Sequence, residues 1–406
     1  MKYIVLLGDG MSDEPLDQLG GKTPLQVAQT PNMDFMARNG LLGLAATVPE
    51  GLPPGSDVAN LSVFGYDPRT CYTGRSPLEA ASIGVELGPD DVAFRLNFVT
   101  LSPEGSRVYM KDFSAGHIST TEGRELIDSL RKYLEDEEFQ FFTGVGYRHL
   151  MVWRNGRFAM KTVPPHDITG KDVVGYFPRG DGADRIINLM NSSQMILKDH
   201  FINKQREEED NLPANSIWLW GHGRAPRISS FRESYGLTGS VISAVDLIKG
   251  IGIYAGLDII PVAGATGYID TNYQGKAEAA LEALKTRDFV YLHVEAPDEA
   301  SHSGRLDHKI QAIEDFDAKV VGTVLEGIKE FGDYRILCMP DHPTPISIMT
   351  HTSDPVPFVI YGGEGVSGNG GAAYDEASAK ATGRFVPEAF RLISMMMGQT
   401  TAGSRP

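Results

Sequence analysis

Cysteine is scarce in this chain: only Cys71 and Cys338 occur in 406 residues. Two cysteines cannot form a disulfide framework, so we expect a reducing, cytoplasmic environment. No apolar run approaches the ~20 residues that span a bilayer, and no secretory signal precedes the first apolar segment. Basic residues are outnumbered, 37 Lys and Arg against 53 Asp and Glu. The resulting formal net charge of −16 argues against nucleic acid or an anionic membrane as a partner.

The chain also lacks the GxxxxGK[ST] phosphate-binding loop, and this absence argues against an ATP-dependent kinase. With 41% hydrophobic residues it can bury a large core, and its length is typical of two domains. An acidic protein can still bind a small anion where bound dications dominate the local field. Composition is therefore consistent with an enzyme acting on a small anion, and it leaves a homo-oligomer open.

Apolar runs of strand length alternate with helical patterns and glycine turns. This alternation is typical of an α/β fold with a mostly parallel sheet flanked by helices. The sequence pattern changes between residues 106 and 212, where hairpin-like runs appear at 139–142 and 149–153. We predict a smaller α+β lid domain at 106–212, inserted into a core made of residues 1–105 and 213–406.

Acidic residues and histidines follow three of the apolar runs, where each predicted strand ends. Asp9 lies between Gly8 and Gly10, after the run at residues 3–7. Ligands collect at the carboxyl ends of parallel strands, and flanking glycines leave room for a cation. The ordinary alternative for such an aspartate is a helix cap or a turn.

The other two runs, residues 289–294 and 334–339, lead into further carboxylates and imidazoles. These are Asp298, His302, Asp341, His342 and His351. Asp298 and His302 are four residues apart, so a helix opened by Pro297 would turn both side chains toward one ion. Carboxylate with imidazole suits Mn²⁺, Zn²⁺ or Mg²⁺ rather than thiolate-seeking metals. Three such strand ends predict a site for two closely spaced divalent cations.

Ser56 follows a Pro/Gly loop at residues 53–55, where helical spacing begins. At a helix N-terminus its hydroxyl would lie in a field that favours anions, beside backbone N–H groups that can hold phosphate oxygens. Next to a cation the hydroxyl could lose its proton at neutral pH and act as a nucleophile. The alternative is that Ser56 only caps the helix. The pattern predicts a phosphoryl-transfer metalloenzyme with a phosphoserine intermediate.

Several segments together resemble a known family. They read GDG at 8–10, PGSDVA at 54–59, DEASH at 298–302, DH at 341–342 and THTSDPVP at 350–357, with TGRSPLEA at 73–80, AFRLNF at 93–98 and DFSAGHIS at 112–119. This set resembles the cofactor-independent phosphoglycerate mutases, in their archaeal-type branch within the alkaline phosphatase superfamily. The resemblance covers nearly the whole chain and implies an alkaline-phosphatase-like core with an inserted lid.

The resemblance also implies roles for the candidate ligands. One ion would be held by Asp298, His302 and His351, and the other by Asp9, Ser56, Asp341 and His342. Ser56 would take the phosphoryl group from one hydroxyl of phosphoglycerate and return it to the neighbouring one, which interconverts 3-phosphoglycerate and 2-phosphoglycerate. We expect Mn²⁺, with Mg²⁺, Zn²⁺ or Co²⁺ as alternatives. No nucleotide, bisphosphoglycerate primer or other organic cofactor is expected.

A phosphorylated acid substrate needs positive groups besides the metals, because phosphoryl transfer depends on positioning and charge neutralisation. The candidates in or near the matched segments are His117, Arg148, Arg75, Arg95, Lys276 and Arg305. His117 and Arg148 are preferred, since they lie in the predicted lid, and a closing lid would keep water from the phosphoserine. The ordinary alternative for each is a surface charge or a structural ion pair.

The sequence departs from the archaeal pattern around Asp298. Lysine and threonine usually precede this aspartate and Gly-His-Asp-Gly follows it, whereas here EAPD stands at 295–298 and SHSG at 301–304. WLWGHGR at 218–224 resembles a bacterial subset for which a homoserine kinase role has been proposed. Four interpretations compete: the leading mutase, a homoserine-type phosphotransferase, a metal-dependent phosphatase, and a non-catalytic metal-binding module.

Overall fold

The structure is a computed structural model that describes residues 1–399. Its contacts form two units. Of the described residues, the larger unit contains Met1–Tyr72 and 227–399, and the smaller unit is Thr73–Pro226. Among the described residues, no helix has both the length and the apolar character needed to cross a bilayer.

The strands are numbered here in chain order. They are β1 Lys2–Gly8, β2 Leu41–Ala45, β3 Val92–Glu104, β4 Arg107–Asp112, β5 Phe139–Val145, β6 Arg148–Trp153, β7 Met160–Lys161, β8 Arg179–Gly180, β9 Ser216–Gly223, β10 Gly239–Ile242, β11 Asp258–Ile259, β12 Phe289–Val294, β13 Tyr334–Met339, β14 Val356–Tyr361 and β15 Phe385–Val386. The three apolar runs that precede the candidate ligands form β1, β12 and β13.

The larger unit is built on an eight-stranded sheet in the order β11-β10-β12-β1-β13-β14-β2-β15. β1 is central and pairs in parallel with both β12 and β13, with Gly8 opposite Val294 and Leu7 opposite Met339. Among the described strands of this sheet, β14 alone runs antiparallel to both of its neighbours. The predicted α/β fold with a mostly parallel sheet is confirmed, and this register brings three strand ends to one edge.

Helices cover this sheet and enclose its apolar core. They are Pro24–Val27, Pro31–Asn39, Ser56–Val63, Pro68–Cys71, Phe231–Tyr235, Asp246–Tyr254, Tyr273–Leu284, Ala296–His302, Leu306–Asp315, Gly322–Gly327, Glu376–Ala381 and Leu392–Met396, with 3₁₀ turns at Asp17–Leu19, Ile328–Phe331 and Ala389–Arg391. A π-helical segment, Phe316–Val321, joins Leu306–Asp315 to Gly322–Gly327. Local signals explain several starts: proline opens Pro31–Asn39, and a Thr23 capping box opens Pro24–Val27.

The smaller unit contains an antiparallel sheet in the order β4-β3-β6-β5, with β9 also paired to β3, and a separate β7–β8 ladder. Its helices are Ser76–Ser82, Thr120–Leu134, Ala183–Leu197 and Phe201–Glu208, with 3₁₀ turns at Pro165–Ile168 and Val173–Tyr176. The unit has its own apolar core, in which buried aromatic residues such as Phe94, Phe141 and Trp218 take part. It is an α+β unit.

The unit boundaries differ from the domain limits predicted from the sequence, 106 and 212. The reason is β3, whose first ten residues are all buried. β3 forms ladders with β4, β6 and β9, so its hydrogen bonds tie it to residues 107–223. An apolar strand of this kind cannot be told from a core strand by its sequence alone.

Candidate metal centre

The loops after β1 and β13 meet at the carboxyl edge of the large sheet. Asp9 and Asp341 are completely buried there, and the backbone N–H of Gly10 donates to Asp341 Oδ1 at 3.2 Å. Gly10 has a φ of 61°, and a Cβ on it would lie 2.6 Å from Asp298 Oδ1. Glycine is therefore required at this position, both for its backbone conformation and for the space it leaves.

Asp298, His302 and His351 form one group of candidate ligands. The first two project from one face of the helix Ala296–His302, with His302 Nε2 3.1 Å from Asp298 Oδ2. His351 Nε2 lies 3.5 Å from Asp298 Oδ1 and 2.9 Å from His302 Nε2. A helix that begins with Ala296 and Pro297 thus produces the i, i+4 arrangement that the spacing predicts.

The second ring nitrogens of these histidines decide where their lone pairs point. His302 Nδ1 lies 2.9 Å from the carbonyl of Met349, and His351 Nδ1 lies 3.2 Å from the carbonyl of Pro54. A carbonyl only accepts, so each Nδ1 must carry the proton. In neutral rings both Nε2 atoms then carry lone pairs that face each other beside the Asp298 carboxylate. Such an arrangement requires a positive charge between them.

Asp9, Asp341, His342 and Ser56 form the second group. His342 Nε2 lies 3.5 Å from Asp9 Oδ1, 3.3 Å from Asp341 Oδ2 and 3.1 Å from Ser56 Oγ. Asp9 Oδ1 is buried and has no hydrogen-bond partner among the described residues. A buried carboxylate oxygen without a donor is energetically costly, and a cation would remove that cost.

The pKa values in this centre reflect the crowding of negative charge. Burial, followed by the nearby charges of Asp341 and Glu295, raises the pKa of Asp9 well above its usual range. Burial acts in the same direction on Asp298, but hydrogen bonds to His302 and His351 outweigh it and hold the pKa of Asp298 well below its usual range. The hydrogen bond to Asp298 raises the pKa of His302 to about 9. The centre therefore attracts positive charge.

The residues present fit divalent cations. Ligand atoms of Asp298, His342 and His351 lie within 4.8 Å of one another, as do those of Asp9, Asp341 and His342. The donor set is oxygen and imidazole nitrogen, which suits Mn²⁺, Zn²⁺ or Mg²⁺. All seven residues predicted as ligands are linked by contacts of 3.5 Å or less, if the bridging hydroxyl of Thr344 is included. Their roles as ligands stay a prediction.

Ser56 begins the helix Ser56–Val63, but it does not cap it. Gly55 occupies the N-cap position, and no side chain caps this helix. The ordinary interpretation of Ser56 as a cap therefore fails, and its hydroxyl is directed to His342 instead. One turn later, Asn60 donates to the Ser56 carbonyl at 2.9 Å and to Asp341 Oδ2 at 2.7 Å. Asn60 ties the serine helix to the aspartate of the centre.

Several polar residues of this centre were not identified from the sequence. His293 is the polar member of the buried strand β12, and its Nε2 lies 2.9 Å from Asp9 Oδ2. Glu295 follows that strand, and its carboxylate forms a third possible ligand group with Asp9 and His293. A histidine within an apolar run was the available signal. Asn60 and Thr344 gave no such signal, because their importance depends on which loops meet.

Lys276 and Arg305, two of the candidate substrate-binding residues, belong to the larger unit. Lys276 is fully buried, and its Nζ donates to the His293 carbonyl at 3.2 Å. Burial lowers the pKa of Lys276 to about 8. Arg305 is exposed and pairs with Asp307 at 2.9 Å. Lys276 therefore contacts the backbone of the strand that carries His293, and a role for Lys276 or Arg305 in binding substrate stays a prediction.

The other candidates gather within the smaller unit. Arg95 is largely buried, stacks on the Trp220 ring at 4.5 Å, and shares Glu79 with Arg75. Burial lowers the pKa of Arg95 to about 10, and the nearby charges of Arg75 and Arg148 act in the same direction. Three arginines from separate segments thus lie close enough to repel one another.

Aromatic rings connect His117 to these arginines. The His117 ring lies 6.1 Å from that of Tyr147, over which Arg148 is placed. His166, which was not identified from the sequence, packs against Trp220 at 5.4 Å, and burial lowers its pKa. We call His117, Arg148, Arg75, Arg95 and His166 the basic cluster. The three arginines supply positive charge and the two imidazoles supply hydrogen-bonding nitrogens, a combination that can hold an anion.

Solved structures share this architecture. A Pyrococcus horikoshii protein superposes with a TM-score of 0.83 at 30% identity, covering 99% of each chain. The cofactor-independent phosphoglycerate mutase from Thermoplasma acidophilum superposes with a TM-score of 0.65 at 28% identity, covering 99% of this chain and 100% of that one. The fold is thus that of a cofactor-independent phosphoglycerate mutase, as the resemblance implied.

Curated relatives define the family more closely. A probable 2,3-bisphosphoglycerate-independent phosphoglycerate mutase of Geobacter sulfurreducens is 66% identical over 397 residues, covering 98% of this chain and 100% of its own. The corresponding mutase of Methanosarcina barkeri is 54% identical, with 98% and 99% covered. A family model for 2,3-bisphosphoglycerate-independent phosphoglycerate mutase matches residues 37–203. The chain belongs to the 2,3-bisphosphoglycerate-independent phosphoglycerate mutases, and the predicted resemblance is confirmed.

Proposed function

We propose that this enzyme interconverts 3-phosphoglycerate and 2-phosphoglycerate through a phosphoserine at Ser56. Two divalent cations would assist the reaction, and Mn²⁺ is the preferred candidate for both. The observation that carries the proposal is 66% identity to a named mutase along 98% of the chain. The homoserine alternative receives no support from these relatives. The free, buried thiols of Cys71 and Cys338 fit a cytoplasmic enzyme.

In the proposed reaction Ser56 Oγ forms a bond to phosphorus while the bond from phosphorus to the substrate oxygen breaks. The neighbouring hydroxyl of the bound glycerate then takes the phosphoryl group back, so no net donor or acceptor is consumed. Bound cations would lower the pKa of the serine hydroxyl and neutralise phosphate charge. Asp298, His302 and His351 would hold one cation, and Asp9, Ser56, Asp341 and His342 the other.

The chain's own residues prepare this step. The helix Ser56–Val63 begins at Ser56 itself, so the field of its N-terminus would favour a phosphate at the serine hydroxyl, although the Val58 N–H is already bonded to Asp57 Oδ1. Asn60 fixes the position of Ser56 relative to Asp341 through its two donated hydrogen bonds. Asp9, Asp341 and His342 are completely buried, so bulk water does not screen their charge interactions.

We further propose that the basic cluster binds the phosphate or carboxylate of the substrate. Arg148→Gln should then raise KM for 3-phosphoglycerate by about 10-fold or more, in line with the loss of a charged hydrogen bond. Arg107→Gln is the matched control. Arg107 is exposed, and its ion pair with Asp172 is weak, with 3.9 Å between the charged atoms. An unchanged KM in the Arg148 variant would remove that residue from substrate binding.

The decisive experiment uses purified full-length protein loaded with Mn²⁺. It is incubated with 3-phosphoglycerate without nucleotide, and in parallel with homoserine plus ATP, while ³¹P NMR follows all products. Formation of 2-phosphoglycerate without 2,3-bisphosphoglycerate is expected. ATP-dependent phosphorylation of homoserine would favour a kinase, and inorganic phosphate as the main product would favour a hydrolase.

A further inference from the structure

Thr344 lies where the two groups of candidate ligands meet. It is completely buried, two residues after His342. Its hydroxyl lies 2.5 Å from Asp298 Oδ1 and 3.2 Å from His342 Nδ1. These two contacts reach one carboxylate of the first group and one imidazole of the second. Thr344 is thus a direct link between the groups.

The number of protons available determines the direction of both hydrogen bonds. A threonine hydroxyl has one proton, and a carboxylate can only accept, so the hydroxyl donates to Asp298. Its oxygen must then accept from His342, which places the imidazole proton on Nδ1. The lone pair of His342 Nε2 is left facing Asp9, Asp341 and Ser56. This is the orientation that a cation requires of an imidazole ligand.

The opposite tautomer has a competing attraction in this centre. With its proton on Nε2, His342 would donate to the carboxylates of Asp9 and Asp341, which lie 3.5 Å and 3.3 Å away. That tautomer would turn an N–H toward the two carboxylates and would occupy the position of the ion. A fixed acceptor on the Nδ1 side is needed to disfavour it.

We propose that Thr344 is a positioning residue whose hydroxyl holds His342 in the Nδ1–H tautomer and fixes Asp298, which couples the two ligand groups. This inference rests on the proposed function for the ligand roles only. The hydrogen-bond directions follow from the contacts themselves. Thr344 touches no reacting atom and acts through His342 and Asp298.

The backbone of Thr344 is anchored independently of its side chain. Its N–H donates to the Ser12 carbonyl at 3.1 Å. Its carbonyl accepts from Lys309 Nζ at 3.0 Å. Substitutions of the side chain therefore leave the loop attached, and Thr344→Val removes the hydroxyl with little change in shape. Thr344→Ser keeps the hydroxyl and is the rescue variant.

The first measurement is the tautomer of His342 in metal-free, full-length protein at pH 8. Long-range ¹H–¹⁵N correlation spectra report it, with the signal assigned by comparison with His342→Asn. We expect the Nδ1–H tautomer in the unsubstituted protein and in Thr344→Ser, and a shift toward Nε2–H in Thr344→Val. The Nδ1–H tautomer persisting in Thr344→Val would overturn the proposal.

The second measurement is Mn²⁺ affinity by titration calorimetry. Loss of an outer hydrogen bond to a metal ligand typically weakens binding about 10- to 100-fold, and we expect this for Thr344→Val but not for Thr344→Ser. Thr47→Val is the matched control, because Thr47 is buried and its hydroxyl has no hydrogen-bond partner among the described residues. Equal weakening in Thr47→Val would contradict a specific role for Thr344.

Thr344→Ala is a second variant without the hydroxyl, and its smaller side chain cannot clash with its neighbours. It is used if Thr344→Val does not fold. Circular dichroism and Tm establish that each variant is folded. The tautomer and the Mn²⁺ affinity do not depend on the substrate. If the protein lacks mutase activity but the tautomer shift occurs, the proposed function fails and this inference stands.

Discussion

His302 and His351 direct their Nε2 atoms at each other across 2.9 Å. The other nitrogen of each ring is held by a backbone carbonyl, of Met349 and of Pro54 respectively. Neither ring can therefore turn its lone pair away, and both face the carboxylate of Asp298. A proton or a cation must lie among these groups, and the two compete for one place.

This competition predicts proton release when metal binds. The hydrogen bond to Asp298 raises the pKa of His302 to about 9, so at pH 7 the metal-free protein holds a proton there. Metal binding to a protonated ligand displaces that proton, so we expect release of about one proton per ion bound at this group at pH 7, falling away above pH 9. Titration calorimetry in buffers of different ionisation enthalpy measures it. Metal binding without proton release in the unsubstituted protein would contradict the assignment, and His302→Ala should abolish the effect.

Ser56→Ala should abolish mutase turnover while the fold survives. Among the described residues the hydroxyl makes one hydrogen bond, with His342, and it caps no helix. Loss of a nucleophile removes the covalent step altogether, so residual activity should be below about 1%. Steady-state kinetics and intact-protein mass spectrometry after incubation with substrate check both the rate and the phosphoserine.

Ser62→Ala is the matched control in the same helix. The Ser62 hydroxyl is buried and donates to the Thr47 carbonyl at 2.5 Å. Its removal should lower stability by about 1 kcal/mol and leave the turnover rate nearly unchanged. Activity above the stated limit in Ser56→Ala would remove this serine as the nucleophile, whatever the control does.

Lys309→Met should destabilise the larger unit strongly. Lys309 Nζ lies 2.7 Å from Asp13 Oδ2, and both side chains are completely inaccessible to solvent. Removing one member of a buried pair leaves an uncompensated charge, at a cost of about 3–5 kcal/mol. Thermal unfolding by calorimetry should show a clearly lowered Tm. Lys319→Met is the comparison, because the Lys319–Asp315 pair is half exposed and should matter little. Equal effects of the two substitutions would contradict this reasoning.

His149 should make the smaller unit sensitive to acid. Burial lowers its pKa to about 4 in the folded protein, against 6.5 for an unperturbed histidine. The unfolded chain therefore binds a proton first as the pH falls. As far as His149 is concerned, the free energy of unfolding keeps its full value above pH 6.5. It falls by about 3 kcal/mol in total as the pH is lowered from 6.5 to 4.

His149→Leu tests this pH dependence. The variant should be less stable at every pH, because the N–H of Gly144 loses its acceptor, the His149 Nδ1 atom. It should not share the additional loss between pH 6.5 and 4. Tm measured from pH 4 to 8 for both proteins gives the difference. A constant Tm difference across this range would show that His149 does not carry the effect.

The sequence was sufficient for the mostly parallel character of the large sheet, for its three central strands and for the proximity of the candidate ligands. β1, β12 and β13 are uninterrupted apolar runs, and such runs with polar residues after them indicate parallel strands whose ends share one edge. Asp9, Asp298 and Asp341 could therefore be grouped before any contact was known. Their grouping needed only the strand direction, not the order of strands in the sheet.

Other parts depended on contacts that no local pattern encodes. Asn60 and Thr344 are ordinary polar residues in sequence, and each matters because two separate loops meet at it. For a similar reason, the sequence did not predict that β3 belongs to the smaller unit. An apolar strand fits any sheet, and only its partners β6 and β9 decide which unit it joins. His166 joins the basic cluster by packing against the rings of Phe113 and Trp220, which no local sequence pattern indicates.

The two ends of the smaller unit are adjacent to each other, since the Thr73 hydroxyl donates to the Arg224 carbonyl and Gly74 packs against His222. A segment whose entry and exit coincide can be shortened, enlarged or exchanged without altering the spacing of its host strands. Residues 73–226 can therefore be exchanged as one piece in the course of evolution. A transplant of the equivalent stretch from a distant relative should preserve the carboxyl edge of the host sheet.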